Sequence, residues 1–300
     1  MTKTAWVFPG QGSQAIGMGL DLLDVPEIKL RFSQADRILG WSVMDVCQDP
    51  NDRVSQTLYT QPCLYVIESL LADLLKSRGQ QPDYVAGHSL GEYTALYVAG
   101  VFSFEDGLHL IKHRAELMDG ASEGTMAALL GCDRPQLEAA IAQNPDVVLA
   151  NDNNAGQVVI SGKSDAVEAV LSQVKSKRAV RLNVSGAFHS PLMANAAAQF
   201  KSVLDSVAFL PAQVPVLSNV DPIPSTDADE LKDRLNRQMT GSVRWREISL
   251  QLPQEGVDRL IEVGPGKVLT GIIKRTCPAL TLENVGSVAD LPQYANAAAS

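Results

Sequence analysis

The chain has 300 residues and a formal charge of −9, from 25 basic and 34 acidic side chains. That length suits one large domain or two modest ones, and the balance of 45% hydrophobic and 20% charged residues excludes disorder and collagen-like repeats. The acidic balance argues against nucleic-acid binding, which needs a basic surface, but allows a local basic patch for an acidic partner.

Neither export nor membrane insertion is indicated by the sequence. The N-terminal apolar run at 5–9 is too short for a signal peptide. The longest uncharged stretch, at 182–200, carries serine, asparagine, glutamine and histidine and would not partition into lipid. The four cysteines are scattered without a C-x-x-C pair, so neither a zinc site nor a disulfide framework is expected, and a reducing cytoplasm fits best.

The first part of the chain predicts alternating strands and helices. The apolar run at 4–8, stopped by Pro9-Gly10, predicts a buried strand. The predicted elements that follow are helices at 26–39 and 62–76, a strand at 84–86, and helices at 90–99 and 103–118, the last with Ser103 as its N-cap. This alternation favours a parallel α/β sheet.

The middle of the chain changes to a βαββαβ pattern. The predicted elements are strands at 125–130, 147–150, 158–161 and 179–184 and helices at 135–142 and 165–175, with the Asn-rich segment NDNNAG as the turn between the second and third strands. We infer a small domain at 124–185, inserted into a larger one formed by 1–123 and 186–300. The larger domain resumes with helices from 191 and at 229–239, a strand at 260–263 and a helix from 267.

One pentapeptide carries the pattern of a catalytic serine. Gly87-His88-Ser89-Leu90-Gly91 has the form G-x-S-x-G, which alone is weak evidence, but here it follows a predicted strand and opens a predicted helix. The glycines permit a sharp turn that holds the hydroxyl clear of the backbone, and the amide at the helix start is free to bond an oxyanion. The alternative is a tight loop that only requires small residues, and the context favours a nucleophilic Ser89.

A serine nucleophile needs a base, and the chain has four histidines. His88 lies inside the turn, where its side chain is expected to point elsewhere. His109 and His113 lie on the following helix and are interpreted as packed or solvated. His189 lies in a loop between a strand and a helix, where α/β proteins place their chemistry, so it is favoured even though a lone histidine is more often structural.

Two glycine-containing segments could bind a ligand. Gly10-Gln11-Gly12 follows the first strand, and its glycines would let backbone N–H groups approach a ligand closely; an ordinary strand-to-helix turn is the alternative. The segment GPGKV at 264–268 does not fit a P-loop, because it lacks the upstream glycine and the Ser/Thr after Lys267. It is interpreted as a turn and a helix start.

Five motifs, in order along the chain, resemble one known family. They are PGQGSQ near the N-terminus, GHSLGEY at 87–93, HRAELM at 113–118, GAFHSPLM at 186–193 and EVGPGKVL at 262–269. Together they closely resemble the malonyl-CoA:acyl carrier protein transacylases of the dissociated bacterial and plastid type, from about residue 4 to about residue 275. The resemblance implies an α/β fold with an α/β-hydrolase-like larger domain and a ferredoxin-like insert, which agrees with the βαββαβ pattern.

The resemblance also implies which residues carry the chemistry. Ser89 would be the nucleophile and His189 its base, oriented by the main-chain carbonyl of Gln238 rather than by an aspartate. The backbone amides of Gln11 and Leu90 would form the oxyanion hole.

Three substrate contacts are implied in the same way. Arg114 matches the arginine that holds the malonyl carboxylate, and its planar fork suits a bidentate contact; from the sequence alone it would be a solvated helix charge. Phe188 matches a position that limits the acyl pocket, and its alternative role is core packing. Asn151 matches a position that contacts the pantetheine arm. In the same segment Ala155 stands where relatives commonly have proline, a departure that affects the other pantetheine contacts of this loop.

The predicted reaction is a ping-pong transfer of malonyl from malonyl-CoA, through malonyl-Ser89, to the phosphopantetheine thiol of holo acyl carrier protein, with no metal or cofactor. The carrier protein is expected to be acidic and to dock transiently. A candidate basic surface, for which a solvated face is the default alternative, comprises Lys175, Lys177, Arg178 and Arg181. The enzyme is expected to be a monomer in the bacterial cytoplasm, or in the plastid stroma if the chain is the mature form of an organelle protein.

Two alternatives stay open from the sequence. A serine esterase or thioesterase of related fold would share the serine turn but use water as the acceptor, and would usually have an Asp or Glu partner for its histidine. A non-catalytic domain that only docks carrier protein would need neither nucleophile nor base.

Overall fold

Strands and helices alternate through residues 2–292, the part of the chain that the computed structural model describes. Its strands, numbered in chain order, are β1 (Lys3–Phe8), β2 (Tyr84–Gly87), β3 (Thr125–Leu130), β4 (Val147–Asn154), β5 (Gln157–Gly162), β6 (Arg178–Arg181), β7 (Val216–Leu217), β8 (Val257–Val263) and β9 (Thr281–Val285). Its α-helices are α1 (Lys29–Leu39), α2 (Val43–Cys47), α3 (Thr57–Ser77), α4 (Gly91–Val98), α5 (Phe104–Gly120), α6 (Arg134–Ala142), α7 (Ser164–Gln173), α8 (Ala194–Ser206), α9 (Ala228–Gln238), α10 (Trp245–Gln254) and α11 (Val268–Thr276).

β1 lies at the centre of a five-stranded sheet with the order β7-β2-β1-β8-β9, in which every neighbouring pair is parallel. Trp6 and Phe8 pack into the larger apolar cluster, which includes side chains of α3 and α5. Ala5 and Val7 pack into the opposite cluster with α10 and α11, because successive side chains of a strand point to opposite faces. The sheet is therefore covered on both faces, as parallel sheets are.

The second sheet is antiparallel and has the order β4-β5-β3-β6. Its connectivity, β3-α6-β4-β5-α7-β6, is the βαββαβ arrangement of ferredoxin-like domains. One face packs against α6 and α7, whereas Met126, Ala128 and Val159 point the other way into the larger apolar cluster. The predicted fold class is confirmed. The boundaries at 124 and 185 stay a prediction, and residues 1 and 293–300 of the larger predicted domain lie outside the described residues.

The Asn-rich segment predicted as a turn is mostly strand. β4 continues through Asn154, so only Ala155 and Gly156 separate it from β5. The polar residues extend the strand because the larger domain supplies partners for it: Asn151 forms a β-bridge with Val243, and the Asp152 amide donates to the Val243 carbonyl. This end of β4 therefore connects the antiparallel sheet to the segment between α9 and α10.

Other elements differ from the prediction in extent. α3 begins at Thr57 rather than at Pro62, and β6 ends at Arg181, three residues earlier than expected. Ser103 caps α5 as predicted, its hydroxyl accepting from the Asp106 amide at 3.0 Å. The pattern missed α2, α10, β7 and β9. None of the helices within 2–292 combines the length and apolar character needed to cross a membrane.

Candidate active site

Ser89 lies on the sharp turn between the end of β2 and the start of α4. Its backbone is left-handed, with φ of 53°, a conformation that costs free energy for a residue with a side chain. The flanking glycines make the turn possible, because a Cβ on Gly87 would lie 1.9 Å from the Gly91 carbonyl and one on Gly91 would lie 2.1 Å from the Phe8 carbonyl oxygen. The turn thus has the geometry that the G-x-S-x-G pattern predicts.

A buried asparagine that the sequence analysis did not identify holds this turn in place. Asn219 Oδ1 accepts from the Ser89 amide at 2.7 Å, and its Nδ2 donates to the Gly87 carbonyl at 2.6 Å. Asn219 is fully buried and follows the two-residue strand β7. In the sequence, Asn219 belongs to a polar Ser-Asn pair that follows the short apolar run of β7. A surface loop would have the same pattern.

His189 makes a hydrogen bond with the Ser89 hydroxyl, with 2.8 Å between Nε2 and Oγ. Its Nδ1 lies 3.0 Å from the carbonyl oxygen of Gln238 and 3.1 Å from that of Gly241. Carbonyls only accept, so Nδ1 carries the proton and Nε2 presents its lone pair to the serine. Burial and the nearby charge of Arg114 lower the pKa of His189 to about 3, so the imidazole is neutral.

The other histidines have different surroundings. His88 Nε2 lies 2.9 Å from the Asn153 side-chain oxygen, and its ring packs beside Trp245. His113 Nδ1 bonds with the carbonyl of His109 on its own helix. Among the histidines, only His189 bonds to the Ser89 hydroxyl within the described residues, as the sequence predicts.

Arg114 is buried, with 1% of its surface exposed, so its interpretation as a solvated helix charge is wrong. Its Nη2 donates to Ser89 Oγ at 3.0 Å and to Gln238 Oε1 at 3.1 Å, and its Nη1 donates to Gln61 Oε1 at 2.5 Å. Burial lowers the pKa of Arg114, but a guanidinium keeps its proton in proteins. The imidazole of His189 and the buried guanidinium of Arg114 therefore meet at the Ser89 hydroxyl oxygen.

The side chain of Gln238 adds contacts that the resemblance did not imply. Its Nε2 donates to the Ser89 carbonyl and to Glu92 Oε2, both at 2.8 Å, while its Oε1 accepts from Arg114. Gln61, Glu92 and Gln238 are all buried, and their polar character within helices was the available signal. Exposed helical Gln and Glu residues are far more common than buried ones, so this signal does not distinguish the three from surface residues.

A cleft of about 480 Å³, part of it open to solvent, lies at the Ser89 hydroxyl. Predicted site residues Gln11, Leu90, Asn151 and Phe188 line it together with Ser89, Arg114 and His189. Gln61 and His88 also line it, and the remaining wall is formed by the apolar side chains of Met118, Met126, Leu182 and Val184. The cleft is therefore an apolar pocket with a few convergent polar groups, which is typical of a small-molecule site.

The two predicted oxyanion donors have free amides. Within the described residues, neither the Gln11 nor the Leu90 backbone N–H donates a hydrogen bond. Leu90 is the N-cap residue of α4, where such amides are unsatisfied by the helix. No group of three or more His, Cys, Asp or Glu side chains within 2–292 has the arrangement of a metal site.

The chain is similar to known acyltransferases. The family model described as "Acyl transferase domain" matches residues 5–296. The malonyl CoA-acyl carrier protein transacylase of Synechocystis sp. (strain PCC 6803) is 58% identical over 289 residues, which cover 96% of this chain and 99% of that protein.

Two solved structures share the whole fold. The crystal structure of the Synechocystis sp. PCC 6803 malonyl-CoA:ACP transacylase has a TM-score of 0.95 at 58% identity, covering 96% of this chain and 99% of that one. A malonyl-transacylase in complex with its type II PKS acyl-carrier protein, AntF in the holo form, has a TM-score of 0.91 at 36% identity, covering 96% and 97%.

Proposed function

This chain belongs to the acyl transferase domain family, and from that membership we propose that it transfers malonyl from malonyl-CoA to the phosphopantetheine thiol of holo acyl carrier protein. The observation that carries the proposal is the environment of the Ser89 hydroxyl, which bonds both to a neutral imidazole and to a buried guanidinium. The first group can remove the hydroxyl proton, and the second can hold a carboxylate next to it.

In the first half-reaction, the Ser89 oxygen attacks the thioester carbonyl carbon while its proton passes to His189 Nε2. The carbonyl oxygen becomes an oxyanion that accepts hydrogen bonds from the Gln11 and Leu90 amides. Collapse of this intermediate breaks the carbon–sulfur bond. The proton on His189 then moves to the departing sulfur, which leaves malonyl-Ser89 and free CoA.

In the second half-reaction, the carrier protein's thiol takes the place of CoA. His189 removes the thiol proton, the thiolate attacks the malonyl ester carbon, and the Ser89 oxygen leaves and recovers its proton. Asn151 lies on the cleft wall where it can contact the pantetheine arm, and Phe188 lies where it can limit the size of the acyl group.

Arg114 selects a carboxylated acyl group and also affects the base. An unpaired carboxylate in an apolar cleft has a large desolvation cost, which two parallel N–H donors offset. The charge of Arg114 lowers the pKa of His189 in the free protein. A bound malonyl carboxylate offsets that charge and so raises the pKa of His189, which makes the imidazole a stronger base when the preferred substrate is present.

The carrier protein is proposed to be acidic and to dock transiently. The candidate basic surface of Lys175, Lys177, Arg178 and Arg181 is exposed, although Arg181 is ion-paired with Glu168. We also propose a monomer in a reducing compartment, the cytoplasm or a plastid stroma, a view supported by the four free thiols.

The test is the fate of malonyl when the protein is mixed with malonyl-CoA and holo carrier protein. Mass spectrometry should show malonyl on the holo form and none on the apo form, which lacks the thiol. Release of free malonate without transfer would favour an esterase, which the two main-chain carbonyls on His189 Nδ1 already disfavour. Binding of carrier protein without any acylation would favour a docking domain.

A further inference from the structure

Arg114 is a buried cation whose hydrogen-bond partners are all neutral groups. Its side-chain hydrogen bonds end on the amide oxygens of Gln61 and Gln238 and on the Ser89 hydroxyl. None of the ion pairs within residues 2–292 includes it. A buried charge is costly unless it is compensated; besides these bonds Arg114 lies 5.3 Å from the centroid of the Tyr93 ring, and a carboxylate nearby would compensate the charge further.

The nearest candidate is Glu92, in the first turn of α4. It is fully buried, and its Oε2 accepts from the Gln238 side chain at 2.8 Å and from the Asn219 amide at 3.1 Å. Burial has the largest effect and leaves the pKa of this carboxyl above its usual value, although the bonds from Gln238 and Asn219 and the charge of Arg114 each lower it. Both donors on Oε2 are N–H groups, which favour the charged form, and Oε1 has no hydrogen-bond partner in the described structure that could accept a carboxyl proton.

The side-chain amide of Gln238 lies between the two charges. Its oxygen accepts from Arg114 at 3.1 Å, and its nitrogen donates to Glu92 at 2.8 Å. The opposite amide orientation would put the NH₂ group against the guanidinium and the oxygen against the carboxylate, so the network fixes which end is which. The amide dipole therefore favours a positive charge on one side and a negative charge on the other.

We propose that Glu92 is the ionised counter-charge of Arg114, relayed through the Gln238 amide, and that its charge sets how strongly Arg114 holds a substrate carboxylate. This inference rests on the proposed function, because it concerns how that site selects malonyl. Glu92 does not touch the cleft and is a positioning residue. Its charge partly neutralises Arg114 before substrate binds, which weakens the hold on malonyl and helps the acyl group to leave.

The first test is Glu92→Gln, which removes the charge but keeps an oxygen for the same hydrogen bonds. Removal of the counter-charge should lower the KM for malonyl-CoA and raise the malonyl-to-acetyl ratio of kcat/KM by about tenfold, the order expected for one nearby charge in a protein. A purely structural role would loosen Arg114 and lower the ratio. A ratio that falls or does not change overturns the proposal.

The second test does not depend on catalysis and so separates this proposal from the proposed function. Urea unfolding is measured for wild type, Glu92→Gln, Arg114→Met and the double variant. In the wild-type background, Glu92→Gln should destabilise the folded protein. In the Arg114→Met background, where the arginine charge is absent, this loss should be smaller by about tenfold in the unfolding equilibrium constant, or become a gain. Additive effects of the two changes overturn the proposal even if malonyl transfer is normal.

Glu68 provides the matched control. It is also fully buried, and its Oε2 accepts from Thr94 at 2.8 Å, but it has no bond to Gln238 or Arg114. Glu68→Gln should be additive with Arg114→Met.

If Glu92→Gln does not fold, Arg114→Met alone still decides the question. Without the arginine the buried Glu92 should take up a proton at neutral pH, and the infrared difference spectrum against wild type should show one protonated carboxyl gained. No gain overturns the proposal.

Discussion

Replacement of Arg114 by methionine should abolish the preference for malonyl over acetyl. Methionine is unbranched and apolar, so it fills the space without supplying donors. Both N–H groups of Nη2 and one of Nη1 donate to the neutral oxygens of Ser89, Gln238 and Gln61, so a malonyl carboxylate would take over two of these donors from neutral partners. Charged hydrogen bonds contribute about 1.5–3 kcal/mol each, so loss of the pair should lower kcat/KM for malonyl-CoA by about 10²-fold or more.

The assay compares kcat/KM for malonyl-CoA and acetyl-CoA with the same holo carrier protein. Acetyl has no carboxylate, so its transfer should change little, and the ratio isolates the contact with the acid group. Arg37→Met, at an exposed arginine on α1, is the control and should leave both values unchanged. Equal losses for both substrates in Arg114→Met would show that the arginine supports the fold or the serine, and would refute the selectivity argument.

Two further residues of the site give sharp expectations. His189→Ala should slow acylation by about 10²-fold, with His113→Ala near wild type, and the reverse order would disprove the assignment of the base. Because the pKa of His189 is lowered to about 3, the rate of wild-type acylation should show no titration near pH 6.5. The free energy of unfolding should fall as the pH drops below about 6.5, because only the unfolded chain binds a proton at this histidine there. Gln238→Ala should lower malonyl transfer about tenfold or more, because three side-chain bonds to the site are lost; wild-type rates would mean that only the carbonyl of Gln238 matters.

Much of the fold was predictable because its strongest elements have strong local patterns. β1 is a continuous buried apolar run, and the βαββαβ order of the small domain follows from the alternation of short strands and helices. β7 has two residues and no pattern to detect. The polar end of β4 is a strand because of a partner distant in sequence, Val243, and no local pattern contains that information.

In the candidate site, too, the residues with a local sequence motif were predictable and those that depend on distant contacts were not. The turn around Ser89 has a local sequence signature, and the roles of His189, Gln11 and Leu90 were expected from family resemblance. Glu92 and Asn219 were missed because their importance lies in burial and in contacts across more than 120 residues of chain, such as the 3.1 Å bond between them. A buried polar residue on a helix looks like an exposed one until the fold places it.

In the proposed reaction, malonyl passes through a covalent ester on Ser89. The most direct measurement is the intact mass of the protein after mixing with malonyl-CoA in the absence of carrier protein, for wild type, Ser89→Ala and the neighbouring-loop control Ser13→Ala. We expect one malonyl adduct on wild type and on Ser13→Ala, none on Ser89→Ala, and loss of the adduct when holo carrier protein is added. An adduct that persists in Ser89→Ala, or malonyl transfer that proceeds without one, would contradict the proposed reaction.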